Sequence, residues 1–370
     1  MTTLSLSGVK VVDLSRVLAG PVCTMILGDM GADVIKVERP GSGDDTRGYG
    51  PPFDANGQSA YFLSANRNKF SLALDLSVAG DAEVLRGLIA GADLVVDNFA
   101  PGMLERWGLA PRTLLERHPR LLWCSITGFG ADSDRPGYDF VVQAESGWMA
   151  ITGEPNGAPM KMGVALADVL AGKDAAIALL GALVRRAGGD AAASADERHS
   201  YISLRHSATA ALVNVAQSAL VTGQEPKRWG NAHANLVPYE MFQTSDRPIV
   251  IAVGNDAQFL ACARALGLDA LADDPRFRAN AGRVTHRDAV VGAMRERLRT
   301  RTAAEWMRRL EEARVPSGLV RSVLDALREV DASALTGIAP SVPGAVRRPP
   351  PRLDEHGALI RARGWAAFDA

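Results

Sequence analysis

Along the first third of the chain the apolar residues switch between a period near two and a period near 3.6, and each switch marks an element boundary. Residues 9–14 (VKVVDL) and 32–38 (ADVIKVE) are short, β-branched runs that predict strands. Between them, residues 20–31 read as a helix closed by Gly31, which can take a positive φ. Residues 70–76 alternate as a third strand should. Residues 81–90 then set Val84, Leu85, Leu88 and Ile89 on one helical face, with Gly91 ending the helix. Residues 93–98 and 121–127 supply a fourth and a fifth strand. Strand, helix, strand repetition with short turns predicts an α/β fold: a Rossmann-like domain with a parallel sheet flanked by helices.

Further on the pattern changes. Residues 169–186 read as a helix, followed by a polar linker at 188–198 (GGDAAASADER) and an apolar helix over 204–222. Residues 248–253 form a strand, followed by helices holding 259–266, 289–298 and 303–313, the last with Trp306 and Leu310 on one face. This predicts a smaller α+β domain over 225–324. The large domain would span 1–200 and be completed by 325–370, with 201–224 as a linker helix. A proline-rich strap (Pro340, Pro343, Pro349, Pro350, Pro351) precedes a terminal helix expected from Asp354.

Composition narrows the function. The chain has 370 residues, long enough to bury a large core without staples. Its 41 basic and 42 acidic residues leave no cationic excess, which argues against a general nucleic-acid binder. Cys23, Cys124 and Cys262 are too few and scattered for a disulfide framework or zinc knuckle, which suits a reducing compartment. The longest apolar stretch, 162–184, is interrupted by Asp168, Lys173 and Asp174, so it belongs in a core rather than in lipid. The N-terminal residues lack a basic segment followed by an apolar block. A cytoplasmic protein is expected.

The sequence carries no Walker loop, no G-x-G-x-x-G after a strand and no G-x-S-x-G elbow, and its six histidines lack close ligand spacing. No metal site is expected, and the chemistry falls to a carboxylate. Asp168 stands out as the only charge in residues 162–172 (MGVALADVLAG), where an extended run turns helical. One reading is an N-cap, since Asp accepts hydrogen bonds from the first helical amides. The other is a functional carboxylate; the two are compatible, because a helix start stabilises a negative charge.

Several longer stretches are distinctive. They include residues 13–21 (DLSRVLAGP), 27–41 (LGDMGADVIKVERPG), 97–102 (DNFAPG), 125–130 (SITGFG), 137–139 (GYD) and the Asp168 run. They are joined by Gly230-Asn231, Pro238-Tyr239, 313–318 (ARVPSG) and 353–356 (LDEH). Together these resemble the family III (CaiB/BaiF-type) CoA-transferases over nearly the whole chain. Two stretches depart from that pattern: residues 230–236 hold one glycine where some members carry a glycine-rich loop, and 191–199 lacks the usual glycine turn.

The resemblance implies a transferase that moves CoA from an acyl-CoA to a free carboxylic acid. Asp168 matches the family's nucleophile; a carboxylate near its reference pKa of about 3.9 needs no general base. Coenzyme A is then a co-substrate and no permanently bound cofactor is expected. By motif match its contacts are Leu18, Ala19, Arg39, Leu74, Asp75, Ser77, Asn98, Phe99, Ala100, Arg106, Tyr138 and Asp139. Arg39 and Arg106 would face phosphates or adenosine, and Tyr138 and Asp139 the thioester. The resemblance also implies an interlocked homodimer. Two alternatives remain: a 2-methylacyl-CoA racemase of the same family, and a CoA-binding protein without turnover. Racemases carry histidine where this chain has Tyr138, and a tyrosine near pKa 10 is a poor base at neutral pH.

Overall fold

The computed structural model describes residues 3–189 and 193–369, so residues 190–192 of the expected 188–198 linker lie outside the described residues. The described chain forms two compact units. One comprises residues 3–149, 161–224 and 330–369, and the other comprises residues 150–160 and 225–329.

In the first unit six strands form one parallel sheet: β1 (Lys10–Asp13), β2 (Asp33–Glu38), β3 (Lys69–Ala73), β4 (Leu94–Asp97), β5 (Leu122–Thr127) and β6 (His199–Ser203). Their spatial order is β3-β2-β1-β4-β5-β6. That is the doubly wound arrangement, with the switch in direction between β1 and β4. Alternate side chains enter opposite cores. Val11, Leu94 and Val96 meet the helices Ala19–Asp29 and Leu166–Ala187, whereas Val12 and Val95 meet Leu85, Leu88 and the C-terminal Ile360. Burial on both faces explains why these strands read as apolar runs.

The tail finishes the sheet edge. Residues 345–348 bond to Asn68, Ala73 N donates to Asp354 Oδ1, and Ser71 exchanges bonds with His356. These contacts cover β3, which would otherwise expose unpaired backbone.

Three expectations are corrected. The single apolar helix over 204–222 is two helices, Leu204–Ala210 and Val213–Thr222, broken where Val213 takes a φ of 41°. The linker region beginning at 201 therefore opens inside β6 and is not one helix. The terminal helix runs Gly357–Arg363, because Asp354 sits at φ 56° outside it.

The second unit holds an antiparallel sheet of β7 (Tyr239–Gln243), β8 (Pro248–Ala252) and β9 (Ser317–Leu319). Phe242, Ile249, Ile251, Phe259, Trp306 and Leu310 fill its core.

Beneath the switch point lies a sealed charge network. Lys36 and Lys69 are fully buried, Lys36 at 2.9 Å from Asp44 and Lys69 at 3.0 Å from Asp13. Burial alone would raise Asp13, but the charges of Lys69 and Lys36 with the hydroxyls of Ser15 and Thr24 outweigh it and hold it at about 2. The network fixes the loop after β1: Lys36 donates to Ser15 O and Asp44 accepts from Val17 N. Val17 is held at φ 69°, a strained conformation for a β-branched residue. Replacing Lys36 by Met leaves Asp44 buried without its cation and should cost about 3 kcal/mol or more in urea unfolding. A loss below about 1 kcal/mol would show that the loop does not depend on this pair.

Candidate active site

The loops after β1 and β4 diverge at the switch point, where doubly wound sheets bind ligands. Asn98 stitches them together: its Oδ1 accepts from Arg16 N at 2.9 Å and its Nδ2 donates to Arg16 O at 2.7 Å. Two cavities open beside this stitch, and Arg16 and Phe99 line both.

The first, about 310 Å³, is lined by Arg39, Leu74, Asp75, Ser77, Phe99 and Trp107, among others. The second, about 280 Å³, is lined by Leu18, Ala19, Asn98, Ala100, Tyr138 and Asp168, among others. The structure thus gathers Asp168 and ten of the twelve expected CoA contacts around two adjoining cavities. Arg106 and Asp139 are the two that line neither. Arg106 is exposed on the short turn Leu104–Trp107, from which Trp107 faces the cleft instead. Arg39 is also exposed and pairs with Asp45 at 2.7 Å.

Asp139 does something the sequence did not announce. It opens the helix Asp139–Glu145, and its Oδ1 accepts from Ala167 N at 2.8 Å and Asp168 N at 3.4 Å. Gln143, one turn on, donates to Asp139 Oδ2 and to Val164 O and accepts from Met162 N. One short helix therefore holds the whole segment entering Leu166–Ala187. The N-cap reading of Asp168 is corrected accordingly. The cap position is Ala165, which makes no side-chain bond, and Asp168 stands inside the first turn with its nearby amides taken by Asp139.

The expectation of an ordinary carboxylate pKa also changes. Burial, and then the neighbouring Asp139 charge, push Asp168 up to about 7. At neutral pH it is poised between carboxylic acid and carboxylate. Tyr61, at 5.5 Å from Tyr49 in an edge-on ring pair, was not foreseen; burial and the Asp168 charge raise its hydroxyl to about 12, so it stays a donor.

Close backbone approaches complete the site. A Cβ on Gly172 would lie 2.4 Å from Ala19 O, so only glycine lets the helix carrying Asp168 press against Ala19. Gly128 and Gly137 touch similarly, a Cβ on Gly128 falling 2.5 Å from Gly137 Cα. That contact folds residues 133–138 over the end of β5 and brings Arg135 and Tyr138 to the second cavity. Among the described residues no group of three or more potential metal ligands sits together. None of the described helices is long and apolar enough to cross a membrane.

Comparison with known proteins gives this site its class. The family model of CoA-transferase family III matches residues 6–355, and the chain belongs to that family. The succinate–glutarate CoA-transferase of Agrobacterium fabrum is 39% identical, covering 96% of this chain and 95% of its own. The human succinyl-CoA:glutarate CoA-transferase is 39% identical over 96% of this chain and 85% of its own. Acetyl-CoA:oxalate CoA-transferase of Acetobacter aceti is 36% identical over 98% and 96%. A solved CaiB/BaiF family protein from Brucella suis superposes with a TM-score of 0.85 at 38% identity, covering 98% of this chain and 99% of that one. The chain is therefore a CoA-transferase, with the fold its sequence implied.

The raised pKa of Asp168 has a stability consequence with a definite sign. Between the ordinary value of 3.8 and about 7 the native state binds the extra proton, so native stability is lost as pH rises through that window. The Asp168→Asn variant escapes this loss. Its Tm advantage over the wild type should grow from pH 4 to pH 7 and level off above. A difference independent of pH would place the Asp168 carboxylate in an ordinary, solvated environment.

Proposed function

We propose that the chain transfers CoA from an acyl-CoA thioester to a free dicarboxylic acid through covalent intermediates on Asp168. The observation that carries this reading is the Asp168 carboxylate lining a cavity that shares Arg16 and Phe99 with a second cleft. That cleft, bordered by Arg39, Ser77 and Trp107, suits the nucleotide end of CoA, with a cation for phosphate and an indole for adenine. Leu18, Ala19, Asn98, Phe99 and Ala100 would flank the pantetheine arm, with Leu74 and Asp75 beside the nucleotide. Arg106, exposed nearby, would meet phosphate only at the rim. The dicarboxylic acceptor follows the named relatives, which act on succinate, glutarate or oxalate.

An Asp168 oxygen attacks the thioester carbonyl, the C–S bond breaks, and an acyl-aspartyl anhydride and CoA thiolate result. The thiolate then attacks the aspartyl carbonyl, giving an aspartyl-CoA thioester and releasing the donor acid as its carboxylate. The acceptor carboxylate attacks this thioester, and the expelled thiolate attacks the acceptor's acyl carbonyl, freeing the new acyl-CoA and the Asp168 carboxylate. Positioning supplies much of the rate, because a carboxylate is a weak nucleophile. A carboxylate of pKa about 7 is a better nucleophile once ionised than one at 3.8.

The racemase alternative finds little support. Tyr138 is 61% exposed, and the Asp139 oxygens already accept three hydrogen bonds. A homodimer is part of the proposal, supported by the helix Val213–Thr222, which buries no residue and leaves Val213, Leu220 and Val221 exposed. A reducing, cytoplasmic setting accords with three buried, unpaired cysteines.

Incubation with a turned-over acyl-CoA should give an adduct on the peptide containing Asp168, cleaved by hydroxylamine and absent from Asp168→Ala. Intact-protein mass spectrometry that finds no adduct with a donor supporting turnover would sink the covalent route.

A further inference from the structure

Two arginines crowd one aromatic ring at the second cavity. The Arg135 guanidinium lies 4.0 Å above the centroid of Phe129, and that of Arg205 lies 5.8 Å from it. Arg135 lines the same cavity as Asp168. A single acid serves both cations: Glu145 grips Arg135 with both oxygens, at 2.6 and 3.2 Å, and Arg205 also acts on its charge. Within this cluster two guanidinium groups share one carboxylate, and Arg135 faces the cavity that Asp168 lines. Arg135 is already flat, stacked and engaged by a carboxylate in two-pronged geometry, so Glu145 shows what the guanidinium is shaped to hold.

Arg16 is the other arginine lining this cavity. It also lines the first cleft, reaches Asp45 at 3.3 Å and stacks toward Phe99.

We infer that Arg135 is the specificity-determining residue for the remote carboxylate of a dicarboxylic substrate. In this arrangement one carboxyl of the substrate reacts at Asp168, while the other takes the place of Glu145 on Arg135. A monocarboxylic acid of equal length brings nothing to displace Glu145. The inference rests on the transferase reading above and names the acid class that the site selects.

The test compares glutarate with pentanoate as acceptors, in the wild type and in Arg135→Gln, with an acetyl-CoA donor, which has no remote carboxylate, and free-CoA affinity measured alongside. A charged two-pronged contact is worth about tenfold or more in kcat/KM. Glutarate should lose at least that much in the variant, whereas pentanoate transfer and CoA affinity should hold. In Glu145→Gln, the KM for glutarate should fall, since no internal carboxylate then competes. Equal losses for both acids, unchanged glutarate transfer, or weakened CoA binding in Arg135→Gln would each overturn the assignment, as would a raised or unchanged glutarate KM in Glu145→Gln. A wild type that passes CoA to neither acid would instead overturn the transferase reading with these acids, and the inference with it.

Discussion

Asp139 accepts the amides that open the helix Leu166–Ala187 while Gln143 donates to its other oxygen, and the position and the charge of Asp168 both follow from that arrangement. A helix start would ordinarily stabilise a carboxylate in its first turn through free amides and the dipole. Here those amides are consumed by a neighbour that is itself negative, and the cavity wall removes solvent. Asp168 receives the cost of burial without the usual compensation, which is why it rises to about 7. Like charges that disfavour one another are tolerated where a site needs a proton equilibrium near neutrality.

That carboxylate pair would be useless without a fixed opposite wall. The wall comes from the switch point, where the loops after β1 and β4 are tied by Asn98 and anchored from below by Lys36, Asp44, Asp13 and Lys69. Burying four charges is expensive, and buried ion pairs seldom add net stability. Their effect here is on shape: they hold Val17 at a positive φ and so aim Arg16 and Leu18 at the two cavities.

Much of the fold was legible because local pattern and tertiary role agree. β1, β2, β4 and β5 are buried on both faces, and their apolar runs say so directly. β6 escaped notice because His199, Tyr201 and Ser203 make it polar and its burial is only partial. The break at Val213 was hidden because Leu212 and Val213 continue an apolar helical pattern, and nothing in composition marks the turn. In the site, Asp168 declared itself as a lone charge in an apolar run. Asp139 was found by motif, but its hold on the helix start was not, because its partners lie 28 and 29 residues away. Tyr61, Trp107 and Arg16 left no periodic signal; the Gly128–Gly137 contact, which brings Arg135 to the cavity, is a pairing only the fold reveals.

The central claim is that burial and the Asp139 charge together push the Asp168 carboxylate up to about 7. It is tested most directly by single-turnover release of CoA thiol from an acyl-CoA donor, followed across pH in the wild type and in Asp139→Asn. The amide oxygen can still accept from the helix amides but the group carries no charge, so the electrostatic effect is removed while that hold is kept and only the bond from Gln143 Nε2 is given up. The account predicts a wild-type rate that rises with pH to a midpoint near 7, and a midpoint displaced to lower pH in the variant. Coincident profiles, or a variant displaced to higher pH, would contradict it.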